Sequence, residues 1–348
     1  ITRPITKHNY LVRDVKELAR TVKEAFYIAS TGRPGPVLVD LPKDVMAQKA
    51  LFHYPASVEI RSYKPVVEGH PKQIKKASEV IKGAKRPVLY VGGGVIQSNA
   101  AAELRKLAET LQCPVTTTLH GLGAFPEDNP LAMGMLGMHG TWYSNVAVSY
   151  CDVLIAVGAR FDDRVTGKVE AFAAEAQKIH IDIDPSAISK NVKVDVPIVG
   201  DVKKVLKQLN EMVQRLDTKD WLATIQQWKN EHPLRYRSGD AIRAQYVIQK
   251  LGEITAGDAI VVTDVGQHQM WSAQFFKWIH PRSHITSGGL GTMGFSLPAA
   301  MGASFGRKDL PVISISGDGG FQMNSQEMAT IVEHKLPMKI FVINNEFL

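Results

Sequence analysis

Short runs of consecutive apolar residues, each stopped by glycine, an acid or an amide, constrain this chain more than any other feature. Val88-Leu89-Tyr90-Val91 runs into Gly92-Gly93-Gly94, and Val153-Leu154-Ile155-Ala156-Val157 runs into Gly158. Further along, Val312-Ile313-Ser314-Ile315 leads to Gly317-Asp318, and Lys339-Ile340-Phe341-Val342-Ile343 leads to Asn344-Asn345. A strand that is apolar at nearly every position needs cover on both faces, whereas a half-exposed strand alternates. Such strands, spaced by stretches of helical period, imply an α/β protein made of consecutive doubly wound parallel-sheet domains.

Three alternations are legible, joined by two polar connectors. In residues 1–50, Asp14 is placed to cap a helix running to Ser30, with Leu18, Val22, Ala25, Phe26 and Ala29 on one face, and residues 36–41 read as a buried strand. Residues 51–68 lose periodicity and gather proline, serine and charge, as a linker does. Residues 69–215 carry strands at 88–91, 115–118, 153–157, 178–183 and 196–199, with helices near 99–111, 144–149 and 202–215. Residues 216–240, with Trp221, Trp228 and a His-Pro pair, read as a second connector. Residues 241–348 hold strands at 259–263, 312–315 and 339–343, and helices near 241–252, within 288–305 and near 324–334. This last sheet stops unfinished and the chain opens on Ile1 rather than Met, so the first and last domains are expected to be incomplete.

Composition narrows the class. A length of 348 residues exceeds one ordinary core, and 45% hydrophobic with 22% charged residues suits a soluble globular protein. The net charge of +7 is scattered. Clusters such as Lys72-Lys75-Lys76 and Lys203-Lys204-Lys207 fit solvated helix faces, so no nucleic-acid partner is expected. No apolar run approaches the roughly 18 residues of a membrane helix. Cys113 and Cys151 stand far apart with no Cys-x-x-Cys, which argues against a disulfide framework or zinc site and for a reducing compartment. His280 and His284 have zinc-ligand spacing, but Pro281 lies between them and no third ligand is apparent.

The chemistry is expected at strand ends, because ligands of open α/β sheets bind outside the carboxyl ends of the strands. Asp318 and Asn345 would share one crevice if their strands are neighbours. Magnesium takes oxygen ligands, commonly one or two carboxylates plus phosphate oxygens, and the glycines around Asp318 would let backbone N–H groups approach a diphosphate. Gly-Asp-Gly alone reads as a turn; paired with Asn344-Asn345 it reads as a metal-diphosphate clamp. In the second segment, Gly92-Gly93-Gly94, Thr118-Leu119-His120-Gly121, Gly137-Met138-His139-Gly140 and Gly158-Ala159-Arg160 flank the strands. Together they could surround an extended dinucleotide, with Arg160 offsetting its charge. Gly289-x-Gly291-x-x-Gly294 fits a nicotinamide fingerprint literally, but only His284-Ile285-Thr286 precedes it and no acid ends a second strand downstream, so a tight turn is the better reading.

Gly317-Asp318-Gly319 followed after 24 residues by Asn344-Asn345 resembles the signature of thiamine-diphosphate enzymes. Two further runs, Asp264-Val265-Gly266-Gln267-His268-Gln269-Met270-Trp271 and Thr286–Phe295, resemble acetohydroxyacid (acetolactate) synthases, as does Gly158-Ala159-Arg160-Phe161-Asp162-Asp163-Arg164-Val165-Thr166-Gly167. The likeness covers essentially the whole chain. It implies that residues 1–50 end a pyrimidine-binding domain, 69–215 form a central FAD-binding domain, and 241–348 begin a diphosphate-binding domain. It implies magnesium on Asp318, Asn345 and the carbonyl of Phe347. Thiamine diphosphate is then expected on Val265, Gly266, Gln267, His268, Gly291, Met293, Gly317, Asp318, Gly319, Gly320 and Asn345, with Met293 bending it. FAD is expected on Arg33, Gly92, Gly93, Gly94, Thr118, Leu119, Leu136, Met138, His139, Gly158, Ala159, Arg160, Asp162, Arg164, Val165, Asp182, Ile183, Asp201 and Val202. For Arg164 beside Asp162 and Asp163, a surface ion pair is the plain alternative. Ala187 departs from an asparagine that relatives offer the flavin.

The resemblance further implies decarboxylation of pyruvate and condensation with a second pyruvate or 2-oxobutyrate, in branched-chain amino-acid biosynthesis. A homodimer or homotetramer is implied, with a small regulatory subunit possible, in the bacterial cytoplasm or an organelle. The family's glutamate against the aminopyrimidine ring is expected upstream of Ile1, so no residue here receives the acid–base role. Two rivals stand beside this reading: another flavin-containing thiamine-diphosphate enzyme, such as a pyruvate oxidase, and an inactive FAD-binding module.

Overall fold

A computed structural model of the chain describes residues 1–237, 239 and 241–345. The first segment comprises β1 (His8–Leu11), α1 (Leu18–Ser30), β2 (Val37–Asp40) and α2 (Lys43–Met46), with β1 and β2 forming a two-stranded parallel sheet. Asp14 caps the approach to α1 through the Lys16 N–H at 2.9 Å, one 3-10 turn ahead of the helix. The buried stripe of α1 is Thr21, Ala25 and Ile28; Phe26, expected on that stripe, is 70% exposed.

The second segment comprises α3 (Pro71–Lys82), β3 (Pro87–Val91), α4 (Gly94–Gln97), α5 (Ala101–Leu111), β4 (Val115–Thr117), β5 (Ala132–Met135), α6 (Trp142–Tyr150), β6 (Val153–Val157), α7 (Asp163–Thr166), β7 (Gln177–Asp182), β8 (Val196–Val199) and α8 (Val202–Met212). Its six strands are all parallel, in the order β5-β4-β3-β6-β7-β8. Every residue of β3 and β6 is buried, which is why these runs are apolar throughout. Helices cover both faces. On α5, Leu104, Leu107, Ala108 and Leu111 form the inward stripe, and on α8 Val202, Val205, Leu206 and Leu209 do so. Gln112, in the left-handed conformation, ends α5.

Residues 216–240, read as a connector, contain a 13-residue helix, α9 (Lys219–Glu231). Trp221 and Ile225 pack it onto the central domain, and the Trp221 indole donates to the Pro87 carbonyl at 3.1 Å. Its polar exposed face hid its period.

The third segment comprises α10 (Ala244–Thr255), β9 (Ile260–Thr263), α11 (Gln267–Phe275), β10 (His284–Thr286), α12 (Ser296–Gly306), β11 (Val312–Gly317), α13 (Asp318–Met323), α14 (Glu327–Glu333) and β12 (Lys339–Ile343). Its four parallel strands run β10-β9-β11-β12. The helix expected within 288–305 begins only at Ser296, because Gly291 and Gly294 adopt positive φ values that an α-helix cannot hold.

Candidate functional site

Strand order fixes where ligands can sit. The central order has the pattern 3-2-1-4-5-6, whose crevice opens between the first and fourth strands, here β3 and β6, at their carboxyl ends. Most of the sequence-derived dinucleotide residues lie at the carboxyl ends of the strands of this sheet. Gly92–Gly94 follow β3, Thr118 and Leu119 follow β4, and Leu136, Met138 and His139 follow β5. Gly158–Val165 follow β6, Asp182 and Ile183 end β7, and Asp201 and Val202 follow β8. Arg33, from the first segment, reaches the same rim and pairs with Asp184 at 2.9 Å.

The glycines have a reason of their own. A Cβ on Gly92 would lie 2.2 Å from the Gly158 carbonyl oxygen, and one on Gly94 would lie 2.7 Å from the Gly158 Cα. Gly92, Gly94 and Gly158 also spend their N–H groups on Val157, Gly158 and Ile181 carbonyls. Independently of any phosphate, these glycines let two turns close on each other. Val202, Ala159 and Leu136 have buried side chains, so contact at these positions would be through backbone. Asp201 caps α8 through the Lys204 N–H at 3.1 Å and accepts from Ser98 at 2.8 Å. Arg164 is exposed beside Asp163 at 3.8 Å, while its carbonyl anchors the Met138 N–H at 2.9 Å.

Asp182 is the chemically distinctive group on this rim. Burial raises its carboxyl above the usual range, the Asp184 N–H at 2.8 Å opposes this, and the carboxylate is positioned to accept from ligand hydroxyls. His180 sits beneath the rim, its Nε2 2.7 Å from the Ala159 carbonyl and its ring edge-on to Phe161; burial lowers it to about 4, so it is neutral.

In the third sheet the order 2-1-3-4 opens its crevice between β9 and β11. Asp264–His268 leave β9, Gly317–Gly320 leave β11, and Asn344–Asn345 leave β12. Gly317 lies opposite Ile343 in register, so the Asp318 and Asn345 ends emerge side by side. The Asn345 amide donates to Gln267 Oε1 at 3.4 Å, which closes the ring of polar groups around this crevice. The first N–H groups of α11 and α13 face the same end of the sheet, a favourable place for an anion. His268 lies against Gly317, 3.0 Å from where a Cβ would stand; burial holds it neutral and its Nε2 is buried without a protein partner. Met293 touches this turn, with its Cε 3.4 Å from a Cβ built on Gly319. Phe347 lies outside the described residues. Among the described residues, no three His, Cys, Asp or Glu side chains form a metal site by themselves.

Sequence reasoning left Asp264 without a role. Its signal, an acid directly after an apolar strand, is the one that singled out Asp318. His280 pairs with Asp258 at 2.8 Å while His284 turns to the Leu119 carbonyl at 3.3 Å, so the two rings serve different neighbours. A cavity of about 740 Å³ between the two sheets touches the sequence-derived set through His139; Glu127, Tyr143 and Lys229 also line it. Among the described residues no helix is long and apolar enough to cross a membrane.

Residues 74–209 match the family model "Thiamine pyrophosphate enzyme, central domain", and residues 264–348 match "Thiamine pyrophosphate enzyme, C-terminal TPP binding domain". The chain is 50% identical over 353 residues to the acetolactate synthase of Mycobacterium bovis, covering 99% of this chain and 57% of that protein. It is 51% identical over 358 residues to a probable acetolactate synthase large subunit of Methanocaldococcus jannaschii, with 99% and 61% covered. With the chloroplastic acetolactate synthase 1 of Nicotiana tabacum it shares 48% over 357 residues, covering 100% and 53%. The chain thus spans a little over half the length of these relatives.

Proposed function

The chain belongs to the acetolactate synthase large-subunit family of thiamine pyrophosphate enzymes, and from that premise we propose that it supplies the flavin and metal-diphosphate sites of an acetolactate synthase. The reaction is the decarboxylation of pyruvate and the joining of the remaining two-carbon unit to a second pyruvate or to 2-oxobutyrate. Thiamine diphosphate, when bound, supplies the carbanion chemistry that protein side chains cannot.

The chain's own residues bind and orient. Asp318 and the Asn345 amide oxygen would hold magnesium, with the Phe347 carbonyl as a third ligand and the cofactor's phosphate oxygens sharing the ion. The N-terminal turns at Val265–His268 and Gly317–Gly320 would offer N–H groups to the diphosphate, and the unpartnered His268 Nε2 suits a ligand above Gly317. Gly291 and Met293 would seat and bend the cofactor. The rim from Gly92 to Val202, with Arg33, would hold FAD, and the Asp182 carboxylate would accept from hydroxyls at its adenosine end. The working enzyme would be a homodimer or homotetramer, with a small regulatory subunit as a further partner, in a bacterial cytoplasm or an organelle.

The observation that carries this reading is the pairing of β11 with β12, which brings the Asp318 and Asn345 ends together at the crevice. The test titrates the purified chain with thiamine diphosphate, with and without magnesium, and follows tryptophan fluorescence. Magnesium-dependent saturation is expected. Retention of flavin with no magnesium-dependent binding would favour a flavin-binding module instead. For an enzyme assembled with its remaining segments, acetolactate from pyruvate without oxygen uptake separates a synthase from an oxidase.

A further inference from the structure

Asp264 is fully buried at the carboxyl end of β9, yet no cation pairs with it among the described residues. A buried carboxylate without a counter-ion survives only when hydrogen-bond donors replace its lost hydration. Asp264 has four. Its Oδ1 accepts from the Val265 N–H at 2.8 Å and the Gly294 N–H at 3.0 Å. Its Oδ2 accepts from the Ser296 N–H at 3.1 Å and the Ser296 hydroxyl at 3.0 Å.

Three of these four donors, those of Gly294 and Ser296, belong to the segment that ends the Gly291–Met293 loop. Gly294 is clamped from both sides, since its carbonyl accepts from the Asn324 amide at 2.7 Å. The network also reaches β11: the Ser296 hydroxyl lies 2.6 Å from that of Ser316, two residues before Asp318. Gly320 presses on the carboxylate so closely that a Cβ there would stand 2.6 Å from Asp264 Oδ1. One side chain therefore touches or tethers three chain segments whose tips surround the crevice.

We infer that Asp264 is a positioning residue for the cofactor crevice, locking the Met293 loop to the Asp318 turn so that the two halves of the diphosphate-cofactor seat keep one spacing. This rests on the thiamine-diphosphate reading above. Asp264 makes no ligand contact itself; it fixes where Met293 and the Gly317–Gly320 turn stand. An amide cannot replace it, because Asn presents one NH2 group to donors that already point at both oxygens.

The test measures magnesium-dependent thiamine-diphosphate binding to the full chain by tryptophan fluorescence, with flavin absorbance and circular dichroism as controls on folding. Asp264→Asn is expected to weaken binding at least about tenfold while flavin content and dichroism stay unchanged. Ser296→Ala, which removes one donor and the tie to Ser316, is expected to weaken it about threefold. Because a general loss of rigidity could mimic this, a double-mutant cycle of Asp264→Asn with Met293→Ala supplies a second readout. Strong non-additivity is expected, since Asp264 acts through the loop that carries Met293. An unchanged binding constant in Asp264→Asn, or additive effects in the cycle, overturns the inference while leaving the thiamine-diphosphate reading intact. If Asp264→Asn does not fold, an unchanged constant in Ser296→Ala overturns it. Failure of the parent chain to bind in any magnesium concentration overturns the reading itself, and the inference with it.

Discussion

Glu127 offers a pH test of how the central and third domains hold together. Its carboxylate accepts the Trp278 N–H at 3.0 Å, and its own N–H donates to the Trp278 carbonyl at 2.9 Å, so one residue of each domain clasps the other. Burial pushes the carboxyl up to about 8 from its ordinary 4.5, with the Trp278 N–H and Lys277 opposing only in part. A raised carboxyl favours the folded state fully below about pH 4.5, and the advantage is lost as pH climbs to about 8. At about 1.4 kcal/mol per pH unit the full span is worth about 5 kcal/mol. Water entering the adjoining cavity screens the charge, and about half of that is the measurable share. Glu127→Gln keeps an acceptor for the Trp278 N–H but never ionises. Thermal melts of both proteins at pH 5 and pH 8.5 are the assay. The variant is expected to exceed the parent by about 2–3 kcal/mol at pH 8.5, a shift of about 5 °C, and to match it near pH 5. A difference that is equal at both pH values would refute the reasoning, because all other titrating groups cancel in the comparison.

Other changes probe the two crevices. Asp318→Ala is expected to weaken magnesium-dependent thiamine-diphosphate binding by more than about 100-fold with flavin absorbance unaltered, measured by fluorescence titration. Gly158→Ala must place a Cβ 2.7 Å from the Gly94 Cα at φ +57°, so a loss of about 3 kcal/mol and of bound flavin is expected in denaturation and absorbance. Gly167→Ala has open space around it but sits at φ +56° and ψ −122°, outside the left-handed helical well, so it should cost about 2 kcal/mol through backbone strain alone and keep its flavin. Arg33→Ala breaks an ion pair at a side chain that is 53% exposed, so stability should change by less than about 1 kcal/mol while flavin affinity falls about tenfold.

Most of the strands that were legible are buried on both faces, although β2 and β12, equally legible, are not. β3 and β6 announce themselves by apolar runs that end in glycine, and β7 by isoleucines alternating with Lys178 and His180 before Asp182. β5 does not: Ala132-Met133-Gly134-Met135 has no β-branched residue, contains a positive-φ glycine, and pairs with β4 through a register shift. α9 was hidden for a different reason. Trp221, Ile225 and Trp228 hold a helical spacing, but ten largely polar neighbours made the stretch read as a connector. Phe26 shows the converse error, an aromatic on the right period that packs on nothing within its two-stranded sheet. At the site, residue types at strand ends were readable because the sheet order projects them into a crevice. That the glycines also permit a tight backbone crossing was not readable, since a crossing and a phosphate cradle call for the same residue.

The two crevices also constrain each other. The tip of β4 presses on the third domain: a Cβ on Gly288 would meet Leu119 Cδ2 at 2.8 Å and His120 Nε2 at 2.9 Å. His284, packed on Trp278 and lowered to about 3 by desolvation and the neighbouring His120, turns its Nδ1 to the Leu119 carbonyl. Arg282 binds the Ile96 carbonyl at 3.0 Å and Asn99 at 2.8 Å, and Gln274 binds the His139 carbonyl at 2.8 Å. Each link ties a residue beyond a central strand end to α11 or to the segment between it and the Met293 loop. A close-packed seam of this kind transmits displacement rather than absorbing it. Whatever orders the Leu119–Gly121 turn therefore also limits where Gly288 and the loop behind it can stand. A flavin bound at the proposed central rim would gain through this seam a physical route to the geometry of the neighbouring diphosphate crevice.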